Sequence, residues 1–245
     1  MNSRKRFLRI FLEKLPAFQA LFRAVEAEAV ASHDLKEPIL DIGCGDGVFG
    51  EVILGRGKQI IGVDLDERAL KEAKKRKIYK KLIKADAKNL PFSSDSFASV
   101  LANSSLEHIE NLGPVLKEIY RVLEKGGVFV LSAPSEKRAK YFILGEIENR
   151  FFRHLNCWSG ERWTSRLKKI GFKQVSYQYA GSLQLCRVGD FLSPFGLIGF
   201  IERKIFGHYL GWRRHLASLS FLLLRGVEDK IEKEKGAIVI VRAVK

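Results

Sequence analysis

The sequence predicts an α/β protein with a doubly wound, mostly parallel sheet, on three observations. A short apolar run leads straight into a glycine-rich loop in "ILDIGCGDGVFG", residues 39–50. Apolar strands then alternate with amphipathic helices as far as Pro134, the pattern of a parallel sheet covered on both faces. The chain finally carries "KQVSYQYA" and, at its end, "GAIVIVRAV"; two such strands closed through a turn run antiparallel. The expectation is seven strands with an antiparallel C-terminal strand.

The elements follow in order. Residues 1–36 read as an N-terminal amphipathic helical segment. Its opening, "MNSRKRFLRIFLEKLPAF", begins like an export signal, but Arg9, Glu13 and Lys14 break the apolar stretch and no small-residue cleavage site follows. Ile39 to Ile42 is a buried strand, and the glycines after it open a helix to about Arg56. "QIIGVD" (59–64) is a second strand, Glu67 to Arg76 a helix, and "KLIKAD" (81–86) a third strand. "FASVLAN" (97–103) is the fourth. In "LGPVLKEIYRVL" (112–123), Val115, Leu116, Ile119, Val122 and Leu123 keep the helical period. "GGVFVLSAP" (126–134) is the fifth strand. A basic, aromatic stretch (136–160) precedes "ERWTSRLKKIGF", a helix stopped by Gly171.

A core of 37–180 and 236–245 is therefore interrupted by an insertion, 181–235. Leu197, Ile201 and Ile205 make one apolar stripe in it, and Trp212, Leu216, Leu219 and Leu223 a second. With the basic, aromatic N-terminus, this insertion reads as a lid and as a contact for an anionic membrane surface.

At 245 residues with a formal charge of +15, the chain suits one domain whose basicity needs a cause. The densest block, "KEAKKRKIYKKLIK" (71–84), lacks the aromatic interleaving that stacks bases and reads as a solvated helix face running into a strand. No nucleic-acid module is evident, so neither DNA nor RNA is an expected partner. The apolar runs fall short of the roughly 20 residues of a spanning helix. Cys44, Cys157 and Cys186 read as reduced thiols, and no residue spacing suggests a metal site. The expected location is cytoplasmic, peripheral on the inner face of the membrane.

The loop itself poses a choice. Gly45, Gly47 and Gly50 make G-x-G-x-x-G, and Asp64 follows at the distance of an acid that holds a ribose, so a redox dinucleotide and an adenosyl methyl donor both fit. Gly43 and Gly45 permit positive φ and close approach of a ligand. Asp41 and Asp46 flank the loop, and two carboxylates repel a pyrophosphate while favouring a cationic ammonium and sulfonium. Charge thus selects the methyl donor. Asp46 is also read as a helix N-cap.

These motifs resemble the class I S-adenosylmethionine-dependent methyltransferases of the small-molecule, quinone and lipid subgroup, whose Rossmann-like fold the resemblance implies. "ILDIGCGDG", "IIGVDLD", "KADAKNLPF", "SFASVLANSSLEHIEN" and "VLKEIYRVLEKGGVFVLSAP" match in order, over about Pro38 to Ala180 and the last strand. The resemblance implies S-adenosyl-L-methionine as cofactor, bound by Asp41, Gly43, Cys44 and Gly45 at the loop. It adds Asp64 and Leu65 after the second strand, Asp86 and Ala87 at the adenine, and Asn103 at the fourth strand's end. The amino-group methylases' "NPPY"-type sequence is replaced by "ANSSLEH", which favours oxygen or carbon acceptors. His108 stands where a general base would, and His154 and Trp158 are candidates for the acceptor pocket. The reading is a methyltransferase for a small or lipid-like acceptor. A nicotinamide-dependent oxidoreductase, an RNA methyltransferase and a non-catalytic adaptor are the alternatives.

Overall fold

A computed structural model describes residues 3–143, 145–192 and 235–245. Among them seven strands, β1 (Ile39–Ile42), β2 (Ile60–Asp64), β3 (Lys81–Lys84), β4 (Phe97–Asn103), β5 (Leu123–Pro134), β6 (Lys173–Ala180) and β7 (Ile238–Val244), form one sheet. Its order is β3-β2-β1-β4-β5-β7-β6. β1 pairs in parallel with β2 and β4, and β7 lies antiparallel between β5 and β6. The antiparallel C-terminal strand is thus present, inserted one place from the edge.

Helices that lie wholly within the described residues are α1 (Ser3–Leu12), α2 (Ala17–Ala31), α3 (Val48–Ile53), α4 (Glu67–Arg76), α5 (Leu112–Val122), α6 (Arg138–Tyr141), α7 (Gly145–Phe151) and α8 (Gly160–Ile170), with a 3-10 turn at Leu106–His108. Local chemistry sets several of their ends. The Asp66 and Ser159 side chains accept from the Arg68 and Arg162 N–H groups, capping α4 and α8. α3 stops at Ile53, short of Arg56, and the chain then turns through Gly55 and Gly57, both at positive φ. β3 ends two residues earlier than its apolar run implies, because the Asp86 carboxylate accepts from Lys88 N–H and turns the chain.

Alternate residues of the central strands face two cores, as period-2 geometry requires. Leu40, Ile42, Val100 and Ala102 meet α5 and α8 through Leu116, Ile119, Trp163 and Leu167. Ile39, Leu101 and Val130 meet α2 through Leu21, Phe22 and Val25, joined by Leu185, Cys186 and Leu192 of a segment that is helical over 183–192. The insertion stripes at Leu197 to Ile205 and Trp212 to Leu223 lie outside the described residues. α1 turns Leu8 and Phe11 onto α2 and α3, and Arg4 pairs with Glu28 at 2.5 Å. Its apolar face is therefore used in internal packing. Among the described residues no helix is long and apolar enough to cross a membrane.

Phe11 is wholly buried, with its ring 6.1 Å from that of Phe49. Phe11→Ala should cost about 3–5 kcal/mol in urea unfolding; a loss under about 1 kcal/mol would mean that α1 does not belong to the cooperative unit.

Candidate active site

A cavity of about 1020 Å³ opens at the carboxyl ends of β1 and β4, where the strand order turns. The two strand ends touch there. Gly43 has φ +67°, and a Cβ on it would collide with Ser105, whose hydroxyl donates to the Ile42 carbonyl at 3.0 Å. Behind the loop, Asp41 is only 4% exposed. Burial pushes its pKa up to about 6; the Tyr79 hydroxyl, donating to Oδ2 at 2.7 Å, opposes the shift, and Asp64 adds to it. Burial, reinforced by Asp41, carries the Tyr79 hydroxyl well above its ordinary pKa, so it stays a donor. Gly50 leaves the room: a Cβ there would run into the Tyr79 hydroxyl.

Asp64 braces the loop from β2. Its Oδ2 accepts from Gly45 N–H and its Oδ1 from Asp66 N–H, each at 2.8 Å. Leu65 beside it is 62% exposed on the cavity wall, an apolar surface without a core to join. Asp86 and buried Ala87 continue the wall. Cys44 lines it too, its thiol pushed up by burial and by Asp41 and so kept protonated. Asp46 caps α3 from one residue further back than expected: Gly47 is the N-cap, and Asp46 Oδ1 accepts from Val48 N–H.

The far wall comes from α2 and from the turns at 106–108 and 152–154. Glu26 of α2 is buried, accepts from the Ser104 hydroxyl at 2.7 Å and pairs with Arg23 at 2.6 Å. The Ser132 hydroxyl donates to Asn103 Oδ1 at 2.6 Å, fixing that side chain at the end of β4. Glu107 is 1% exposed, and burial, with Glu26 adding to it, pushes its carboxyl up to about 8. Its Oε2 has no hydrogen-bond partner.

His108 and His154 meet here, ring centroids 5.2 Å apart. Burial lowers both, His154 to about 3 with Arg138 and His108 contributing, so both rings are neutral near pH 7. Arg138 pairs with Glu148 at 3.1 Å and sits over the Phe142 ring. The fold thus gathers Asp41, Gly43, Cys44, Gly45, Asp64, Leu65, Asp86, Ala87, Asn103, His108 and His154 around one cavity. Trp158 is not with them. It packs 4.7 Å from Trp163 beneath the Arg162 guanidinium, in the core.

Arg23, Glu26, Tyr79, Glu107 and Arg138 escaped the sequence reading. The available signal was Arg23 and Glu26, three residues apart in "AFQALFRAVEAEAVA", a helix otherwise rich in apolar residues.

Residues 40–131 match the family model described as "Methyltransferase domain". An uncharacterized methyltransferase of Bacillus subtilis is 37% identical over 173 residues, which is 65% of this chain and 69% of that protein. A malonyl-[acyl-carrier protein] O-methyltransferase of Hamiltonella defensa is 32% identical over 40% of this chain, and the match spans only 39% of that protein. Among solved structures, a SAM-dependent methyltransferase of Thermotoga maritima, titled a possible histamine N-methyltransferase, aligns at TM-score 0.64 and 21% identity, over 93% of this chain and 91% of its own.

Tyr79→Phe should destabilise the fold by about 1–3 kcal/mol, because it strips a buried carboxylate of a donor. It should also move the Asp41 titration, followed by carboxyl carbon NMR, above its present value. An unmoved titration would show that the hydroxyl does not hold Asp41.

Proposed function

We propose, for a chain that belongs to the class I S-adenosylmethionine-dependent methyltransferases, that the acceptor is a small or amphiphilic molecule methylated on oxygen inside the cavity beneath α2. The donor is S-adenosylmethionine, which brings a methyl group already bonded to a good leaving group. What remains for the protein is to bind, align and exclude water.

One observation carries the acceptor reading: a single cavity joins the glycine loop to the wall of α2, His108 and His154. Its volume sits at the upper end of the roughly 300–1,000 Å³ of small-molecule sites, room for a donor with a small partner. A macromolecular acceptor would have to reach beneath a helix tied to the end of β4 through Glu26 and Ser104. Phe18 and Phe22 of α2 suit the apolar part of an amphiphile.

The residues divide the work as follows. Asp41 favours the donor's ammonium, directly or through water, and Asp64 accepts from the ribose hydroxyls while holding the Gly45 turn. Leu65 covers an adenine face, Asp86 accepts from its amino group, and the Ala87 backbone completes that edge. Asn103 is held at the strand end toward the donor. His108 keeps a neutral imidazole at the acceptor wall, able to take a hydroxyl proton. "ANSSLEH" at 102–108 favours oxygen or carbon over an amino group, and between those two the name of the Hamiltonella relative favours oxygen.

Contact with an anionic membrane, and the peripheral cytoplasmic location with it, draws on exposed Lys5, Arg6 and Arg9. It has lost the apolar anchor of α1, since Leu8 and Phe11 face inward.

Incubating the protein and methyl-labelled donor with cell extract tests the acceptor class. Label should enter the lipid or small-molecule fraction; label confined to RNA or protein would overturn the proposal.

A second expectation concerns pH. Asp41 takes up a proton at about pH 6 in the free protein, and the donor's cationic ammonium prefers the ionised carboxylate. Binding therefore lowers that pKa, and affinity should weaken as pH falls through about 6 and level off above it. Calorimetric titration with S-adenosylhomocysteine should show this slope in the native protein and lose most of it in Asp41→Asn. An equal slope in both would remove Asp41 from the ammonium site.

A further inference from the structure

We infer that Glu107, His108 and His154 form a binding site for one divalent transition cation of the Zn2+, Co2+ or Mn2+ kind on the acceptor side of the cavity. Spacing in the sequence hides it, because His154 stands far from the Glu-His pair; the 3-10 turn and the segment after α7 bring the three together. One potential ligand atom from each lies within 4.8 Å of the others. Ligands about 2.1 Å from an ion stand roughly 3.4 Å apart, so modest side-chain rotation completes the set.

Two further observations point to a ligand. Each ring has its Nδ1 turned to an oxygen: His108 toward the Arg153 carbonyl at 3.3 Å and His154 toward Asn149 Oδ1 at 2.9 Å. With the Nδ1 hydrogen donated there, the Nε2 lone pair of each ring is left for a metal, the arrangement in which metal-binding histidines are held. The His108 Nε2 lies 3.8 Å from Glu107 Oε1. Glu107 Oε2, in turn, is buried without a hydrogen-bond partner, a cost that a cation would remove. Neither neighbouring guanidinium hydrogen-bonds it: Arg23 is paired with Glu26, and Arg138 reaches Glu148 through Nη2 while its own buried Nε also lacks a partner.

Two imidazoles and one carboxylate suit borderline cations and leave coordination positions open. All three residues line the cavity, so those positions face the acceptor. With an ion bound His108 is a ligand and not a base, and the ion itself would hold an acceptor hydroxyl and lower its proton affinity, a role that rests on the oxygen-acceptor reading above. Ion binding itself does not.

The test uses the full chain, stripped with chelator and titrated with Zn2+ and Mn2+ in a calorimeter, with Cu2+ electron paramagnetic resonance to count nitrogen ligands. One equivalent should bind, with two imidazole nitrogens, and His108→Ala, His154→Ala and Glu107→Gln should each weaken it by about 10-fold or more. No binding, fewer than two nitrogens, or unchanged affinity in His154→Ala would overturn the inference. Where a variant does not fold by circular dichroism, the nitrogen count on the native chain decides. S-adenosylhomocysteine titrated into the same samples separates the failures: normal binding of it without any ion sinks this inference alone, while ion binding without it sinks the donor-site assignment instead.

Discussion

A carboxylate shut away from water at the end of β1 governs how the rest of the cavity is built. Asp41 could not remain near-ionised there without a donor, because an unpaired buried charge costs several kcal/mol. Tyr79 supplies the donor from the connection between α4 and β3, and that reach requires Gly50 to lack a side chain. One hydrogen bond thus couples the first strand, the first helix after it and a connection near the sheet's edge. The third glycine of the G-x-G-x-x-G pattern is explained by this contact with Tyr79 and Asp41. No pyrophosphate is needed to account for it.

The opposite wall depends on a second buried acid. Glu26 accepts from Ser104, a residue at φ 44° just past β4, and its other oxygen is paired with Arg23. A helix that looks like generic core is in this way fixed to the end of β4, at the edge of the cavity. Because α1 packs on α2 and α3, the N-terminal segment acts as a roof of the cavity as well as a contributor to the core.

Much of this was legible in the sequence, for reasons that are local. The alternating strands and the glycine loop follow from short-range periodicity and turn chemistry and are in place, whereas Asp64 was reached through motif spacing and Asp86 through the family resemblance, and both line the cavity. What stayed hidden depends on contacts between distant segments. Tyr79 is 38 residues from Asp41, and His154 joins the Glu107 turn only after α7 has folded back. Trp158 failed in the other direction: an aromatic in a basic stretch was read as pocket lining, whereas its ring is needed against Trp163. The α1 stripe was read toward lipid because sequence alone does not reveal that α3 offers Phe49 and Val48 to cover it.

The sign of the protein's charge and the sign of its cavity differ, and the difference bears on specificity. The chain carries +15, but on α4 three of the five basic residues are matched locally: Lys71 with Glu67, Lys75 with Glu72, Arg76 with Glu51. The lysines of β3 lie on an edge strand, where charge discourages pairing with another chain. Inside the cavity the balance reverses, with seven acidic side chains, Glu26, Asp41, Asp46, Asp64, Asp86, Glu107 and Glu110, against Arg23, Lys88, Arg138 and Arg153. Even with Glu107 neutral near pH 7 the acids outnumber the bases. A low-dielectric cleft of that sign attracts cations and repels polyanions. The field that welcomes a sulfonium and an ammonium therefore works against a dinucleotide's pyrophosphate and an RNA backbone, whatever the net charge of the surface outside.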